Sequence, residues 1–116
     1  MKESRYCSGT AAALEFMGGK WKLLILHRLT QGTFRYGELR RSIPTVSDKM
    51  LIQQLKELES DELVSRVDYG EIPPRVEYSL TRFGRSLAVA LAPLNEWGEK
   101  HVARIEKAAD RRSAER

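Results

Sequence analysis

Near residue 63 the hydrophobic pattern of this chain changes its period, and that switch restricts the fold more than any other feature. From Ser47 to about Asp61, Leu51, Leu55 and Leu58 recur at helical spacing, while Lys49, Gln53 and Lys56 fall on the opposite side at 100° per residue. From Leu63 to Tyr69 the pattern alternates instead, with Leu63, Ser65, Val67 and Tyr69 set against Val64, Arg66 and Asp68. Alternation returns from Arg75 to Thr81, where Val76, Tyr78 and Leu80 oppose Arg75, Glu77 and Ser79. An amphipathic helix therefore runs straight into two half-buried strands. Gly70-Glu71-Ile72-Pro73-Pro74 between the strands is a turn stiffened by prolines, so the pair forms a hairpin with Arg66 and Arg75 near its tip.

The residues before Ser47 read as three helices. Thr10 is the expected N-cap of a short helix over 11–17, which stops at Gly18-Gly19. A second helix, from Lys20 to about Leu29, is apolar nearly all round through Trp21, Leu23, Leu24, Ile25, Leu26 and Leu29, the pattern of a helix surrounded by other elements. Gly32 ends it, and Phe34-Arg35 is a short extended piece. Tyr36, Leu39 and Ile43 then mark a brief third helix that Pro44 terminates, because proline has no amide to donate and turns the preceding residue away from helix. Ser47 caps the next helix after a tight turn.

Two helices joined by a short turn, the second presenting lysine and glutamine from its N-terminal half, have the geometry that enters a DNA major groove. Lys49 and Lys56 can donate to guanine or phosphate, Gln53 can pair bidentately with adenine, and Ser47, with Asp48 beside it, stands where a hydroxyl reaches a phosphate. Arg35, Arg40 and Arg41, around the preceding helix, are candidate phosphate contacts, and each is equally an ordinary surface charge. A plain solvated helix face would also carry Lys and Gln. The hairpin that follows tips the balance, since a wing with Arg66 and Arg75 lays basic side chains along the backbone. The expected fold is mainly helical with a small β-hairpin wing.

The 116 residues amount to one domain, and 41% hydrophobic with 31% charged residues is an ordinary globular composition. Lys plus Arg exceed Asp plus Glu by 4, a weak lean toward a polyanionic partner. No stretch approaches the roughly 20 apolar residues of a membrane span, so a cytoplasmic protein with no membrane partner is expected. Catalysis lacks parts: His27 and His101 are isolated, no metal-ligand spacing occurs, and neither a G-x-S-x-G motif nor a P-loop is present. No enzyme activity, cofactor or metal is expected.

After Thr81, read as an N-cap, Phe83, Leu87 and Leu91 form an apolar stripe. A kink or break is expected at Pro93, after which Leu94, Trp97, His101, Val102 and Ile105 continue the stripe. A domain this small has little core left to cover it. A second subunit is therefore the expected cover, with residues 7–17 and 82–109 as dimerisation helices and Leu14 and Met17 contributing from the first. Residues 110–116, mostly charged, read as a frayed tail. Cys7 is the only cysteine and cannot form an internal disulfide. It is either a reactive thiol, favoured by Arg5 and the following helix start, or a small buried hydrophobe.

Gly18-Gly19-Lys20-Trp21 with Leu24-Ile25-Leu26, Phe34 through Leu39, Ser47-Asp48-Lys49-Met50-Leu51, Gln54 through Glu59, Pro73 through Thr81, and Trp97-Gly98 together resemble the HxlR family, over roughly Cys7 to Gly98. The resemblance implies a dimeric bacterial winged helix-turn-helix regulator, often a repressor, acting on double-stranded operator DNA. It also implies that some members respond to small electrophiles or oxidants through a cysteine near the N-terminus, whose position Cys7 matches. Two departures stand out. Ser8 follows Cys7 where the family usually has proline, and Glu62 stands at the end of the recognition helix where glycine is usual. The alternative is a winged-helix module used only for protein contacts, which would more often place apolar or acidic residues where Lys49, Gln53 and Lys56 stand.

Overall fold

Ser8, not Thr10, opens the first helix of the computed structural model, which describes residues 5–115. Ser8 is extended, and its hydroxyl accepts from the Ala11 amide at 3.1 Å, satisfying one of the orphan donors of α1 (Gly9–Met17). Thr10 is thereby carried into the first turn. Gly18, at φ 69, ends the helix as expected of a glycine. α2 (Lys20–Leu29), β1 (Phe34–Arg35), α3 (Tyr36–Ser42) and α4 (Asp48–Ser60) follow where the pattern puts them, and the Ser47 hydroxyl caps α4 by accepting from the Met50 amide at 3.1 Å.

β2 (Val64–Asp68) and β3 (Val76–Leu80) form the antiparallel hairpin, with Val64 opposite Leu80 and Asp68 opposite Val76. The Phe34-Arg35 piece is more than a spacer: as β1 it pairs with β3, Phe34 against Tyr78 and Arg35 against Glu77, making a three-stranded sheet in the order β1-β3-β2. The start of α3 is thus fastened to the base of the wing. Burial follows the expected alternation on β3, where Tyr78 and Leu80 are buried, but not on β2. The register sets Val64 and Arg66 opposite Leu80 and Tyr78 on the core side, so Val67 and Tyr69, expected on the same face as Leu63, lie on the outer face and are exposed.

The chain divides into two units, one ending at Arg85 and one beginning at Ser86. In the first, Leu26 of α2, Leu39 of α3, Leu51 and Leu58 of α4, and Leu63 are all wholly buried, so one core holds the helix-turn-helix and the root of the hairpin. Glu62 takes φ 63, the left-handed conformation expected at that position. The Leu63 amide donates to the Leu58 carbonyl and the Glu62 amide to the Glu59 carbonyl, both at 3.0 Å, which is the Schellman ending of a helix built without its usual glycine.

Thr81 caps α5 (Arg82–Lys100) as its sequence suggested: its hydroxyl oxygen accepts from the Gly84 amide at 2.9 Å, while its proton goes to the Glu62 carbonyl at 2.6 Å. The break expected at Pro93 does not occur. α5 continues through Pro93, which removes one amide donor without ending the helix, and the interruption falls at His101 before α6 (Val102–Ala114). Residues 110–114, where fraying was expected to begin, belong to α6; Arg116 lies outside the described residues. In the second unit no described residue is buried. The rings of Trp97 and His101 lie 4.9 Å apart there.

Candidate nucleic-acid interface

Asp48, the first residue of α4, ties that helix to α3. Its carboxylate accepts from the Tyr36 hydroxyl at 2.6 Å and from Arg40 Nε at 3.1 Å, so the head of α4 is fastened to the start and the middle of α3. Burial and this bond to Asp48 push the Tyr36 hydroxyl up to about 12, while the bond from Tyr36, followed by Arg40, holds the Asp48 carboxyl below its ordinary value. Arg28 of α2 adds a second brace by donating from Nε to the Ser42 carbonyl at 3.2 Å, closing the C-terminal end of α3. Asp48 and Arg40, both candidate DNA contacts from sequence, are thereby each other's partners and set the angle at which α4 is presented.

On α4 itself the stripe of Leu51, Leu55 and Leu58 is buried, and Lys49, Gln53 and Lys56 are exposed on the other side. Ser47 is exposed at the head of the helix, where the first-turn amides make a site for an anion. Ile52, also exposed, lies among these polar side chains and was not singled out by sequence; with Tyr36, Leu55, Lys56, Glu59, Arg66, Val76 and Tyr78 it lines a cleft of about 470 Å³ between α4 and the wing. Gln53 donates from Nε2 to Glu57 Oε2 at 3.4 Å, and Glu57 Oε1 in turn receives the ammonium of Lys22 at 2.9 Å. That bond from Lys22 holds the Glu57 carboxyl below its ordinary value. Lys22 was hidden in the sequence by its apolar neighbours on α2.

The wing's cations are already engaged within it. Arg75 lies 3.3 Å from Glu77, 3.6 Å from Glu71 and over the Tyr69 ring at 4.0 Å from its centroid, and Arg66 is 4.0 Å from Asp68. Tyr69 donates its hydroxyl proton to Glu77 at 2.7 Å, which with Arg75 holds that carboxyl below its ordinary value. Arg35 and Arg41 are exposed beside α3. The hairpin thus presents arginines in surface ion pairs, with the almost fully exposed Ile72 at the turn.

Cys7 is an exposed thiol just ahead of α1. Of the residues expected at a subunit contact, Met17 is buried in its own unit, while Leu14 is exposed on the same helix. Leu94, Trp97, Val102 and Ile105 are exposed on α5 and α6, and His101 is half-buried between those helices in sequence. Among the described residues no group of three or more His, Cys, Asp or Glu is placed to hold a metal ion, and no helix is long and apolar enough to cross a membrane.

Comparison with known proteins agrees with this geometry. The chain is 46% identical over 105 residues to the uncharacterized HTH-type transcriptional regulator YtcD of Bacillus subtilis, an alignment covering 90% of this chain and 83% of that one. Among solved structures it resembles the redox regulator HypR in its reduced form, with a TM-score of 0.80 and 41% identity over 86% of this chain and 99% of that one. The oxidized form of HypR matches with a TM-score of 0.74 and 42% identity, covering 80% of this chain and 96% of that one. The model of the HxlR-like helix-turn-helix family matches residues 16–106, which take in every element from α2 to α5 and the start of α6, and the chain belongs to that family of transcriptional regulators.

Proposed function

We propose that this regulator is a homodimer that binds double-stranded operator DNA sequence-specifically, most simply as a repressor, and that oxidants or electrophiles acting at Cys7 release it. The observation that carries the DNA reading is α4: its apolar stripe is wholly committed to the core, its opposite face offers Lys49, Gln53 and Lys56, and Asp48 locks it to α3. Lys49 and Gln53 read base edges in the major groove, assisted by Ser47 and Lys56, while Asp48 acts through the helix angle it sets. Arg35, Arg40 and Arg41 face phosphates beside α3. From the wing, Arg66 and Arg75 exchange a carboxylate for a phosphate, an exchange of low cost because exposed ion pairs are worth little.

Dimerisation is supported by a helical unit with no buried residue among those described and by Leu94, Trp97, Val102 and Ile105 all exposed on it, an arrangement a second copy would cover. Redox control is supported by the exposure of Cys7 and by the redox regulator among the similar structures. With one cysteine in the chain, oxidation ends in an inter-subunit disulfide, a mixed disulfide with a small thiol, or a sulfenic acid and its further products. Genome-wide mapping of binding sites tests the whole reading: the expected motif is a near-palindrome whose half-sites lie about one helical turn, or a multiple, apart. No enriched motif would overturn the DNA assignment. Equal response of wild type and Cys7→Ser to diamide in operator binding would move the signal away from Cys7.

A further inference from the structure

Lys22 is the one buried charged residue among the described residues, at 8% exposure, and it lies on a helix whose other buried positions are Ile25, Leu26 and Leu29. An ammonium in that setting needs a partner close at hand, since burying the charge unpaired is strongly unfavourable. Two features supply the surroundings. Its Nζ meets Glu57 Oε1 at 2.9 Å, and its stem passes over Gly18, the C-cap of α1, where an added Cβ would lie 3.4 Å from Nζ and 3.5 Å from Cδ. Glu57, one turn beyond Gln53, is half-buried on the flank of α4 that meets Lys22, and its second oxygen accepts one N–H of the Gln53 amide at 3.4 Å.

A glutamine amide has two N–H donors and one oxygen. Bidentate pairing with adenine uses the oxygen, accepting from N6, and the N–H on the same side, donating to N7. The other N–H is left over, and Glu57 takes an N–H of Gln53 in this structure. We propose that Lys22 is a positioning residue for base recognition: from beneath α4 it holds Glu57, and through Glu57 it holds Gln53 with its adenine-pairing edge toward the groove. The proposal rests on Gln53 reading a base. Released from Lys22, Glu57 is free to swing into the groove, where a carboxylate accepts from the N4 amino group of cytosine. Loss of Lys22 therefore does more than weaken the fold: it changes which base is preferred at one position.

The test uses the full-length protein and operator duplexes carrying each of the four base pairs at every half-site position, with affinities measured for wild type, Gln53→Ala, Lys22→Met, Glu57→Ala and the Lys22→Met/Gln53→Ala double variant. Gln53→Ala identifies the position it reads. Lys22→Met is expected to lower the adenine preference at that position about tenfold, with relative tolerance of cytosine and an unchanged salt slope, since Lys22 touches no phosphate. In the Gln53→Ala background Lys22→Met should lower the adenine preference no further, since the group it positions is gone. Glu57→Ala, at a more exposed site, gives the same loss of adenine preference and reads the relay even where Lys22→Met fails to fold. If Gln53→Ala alters one position while Lys22→Met and Glu57→Ala leave it intact, or weaken all sequences equally, the relay is wrong and the reading face stands. If Gln53→Ala alters discrimination nowhere, both fall.

Discussion

Gly84→Ala places one methyl group against the joint between α5 and the root of the wing. A Cβ at Gly84 would lie 2.0 Å from the Leu63 carbonyl oxygen and 2.9 Å from its carbon, and since ordinary contact begins near 3.4 Å, helix and strand must separate by about 1.4 Å. The obstructing atoms are backbone, so no side chain can rotate out of the way. Separation strains the Thr81 amide bond to the Leu63 carbonyl at 3.1 Å and the Thr81 hydroxyl bond to the Glu62 carbonyl at 2.6 Å. Losing those bonds costs about 1 kcal/mol each and the overpacking itself about 1–3 kcal/mol, against about 1 kcal/mol gained by replacing a helical glycine with alanine. The net is a loss of roughly 2–4 kcal/mol, a fall in Tm on the order of 10–20 °C for a domain of this size. Gly37→Ala is the control, because it too is helical but would meet only the mobile tip of Arg41 at 3.3 Å. It should leave Tm unchanged or raise it. Thermal melts followed by circular dichroism decide the matter, and a Gly84→Ala melt within about 2 °C of wild type would refute the packing argument.

Other consequences are open to similar measurement. Glu62→Gly should stabilise the protein by about 0.5–1 kcal/mol, because glycine removes the cost of φ 63 at the end of α4; an unchanged or lower denaturant midpoint would count against it. Asp48, Glu57 and Glu77 all hold their carboxyls below the ordinary values of 3.8 and 4.5, so the unfolded chain binds more protons through that range. The stability they contribute is therefore fully present above their ordinary values and is lost as pH falls through the depressed ones, an acid limb that Asp48→Asn should flatten in urea titrations. Tyr36 has the opposite sense: pushed from 10.0 up to about 12, it contributes below pH 10.0 and that contribution disappears as pH rises toward 12. Leu94→Glu combined with Trp97→Glu should give monomers in sedimentation and weak operator binding, whereas a wild-type monomer at micromolar concentration would contradict the dimer.

What sequence made legible was whatever rests on local pattern. The stripe of Leu51, Leu55 and Leu58, the Ser47 cap and the change of period at Leu63 together placed the helix-turn-helix and the hairpin, because each is a short-range signal with one structural solution. The strained Glu62 was visible only through the family resemblance, which has glycine, the residue easiest to place in a left-handed conformation, where Glu62 stands. The third strand was not visible, as two residues carry no periodicity and the pairing of Phe34 with Tyr78 is a long-range fact. Ser8 displaced Thr10 because two residues flanking Gly9 were both able to cap, and the helix begins earlier than Thr10 would allow, with the Ala11 amide bonded to Ser8. Of the kink or break that Pro93 signalled, the break is absent, since α5 runs through Pro93 with one donor missing. The Lys22–Glu57–Gln53 chain lay beyond any pattern of spacing, although a lysine amid an otherwise apolar helix is the signal from which to look for it.

The account stands or falls on α4 as the reading helix, and the most direct measurement is the affinity of wild type, Lys49→Ala and Arg75→Ala for a fluorescent operator duplex and a scrambled duplex across a salt series. Wild-type affinity should fall steeply with salt, as counterion release requires. Lys49→Ala should cost about 1–3 kcal/mol on the operator and much less on the scrambled duplex, while Arg75→Ala should weaken both alike and reduce the salt slope by about one unit. Affinity indifferent to salt, or operator preference untouched by Lys49→Ala, would contradict it.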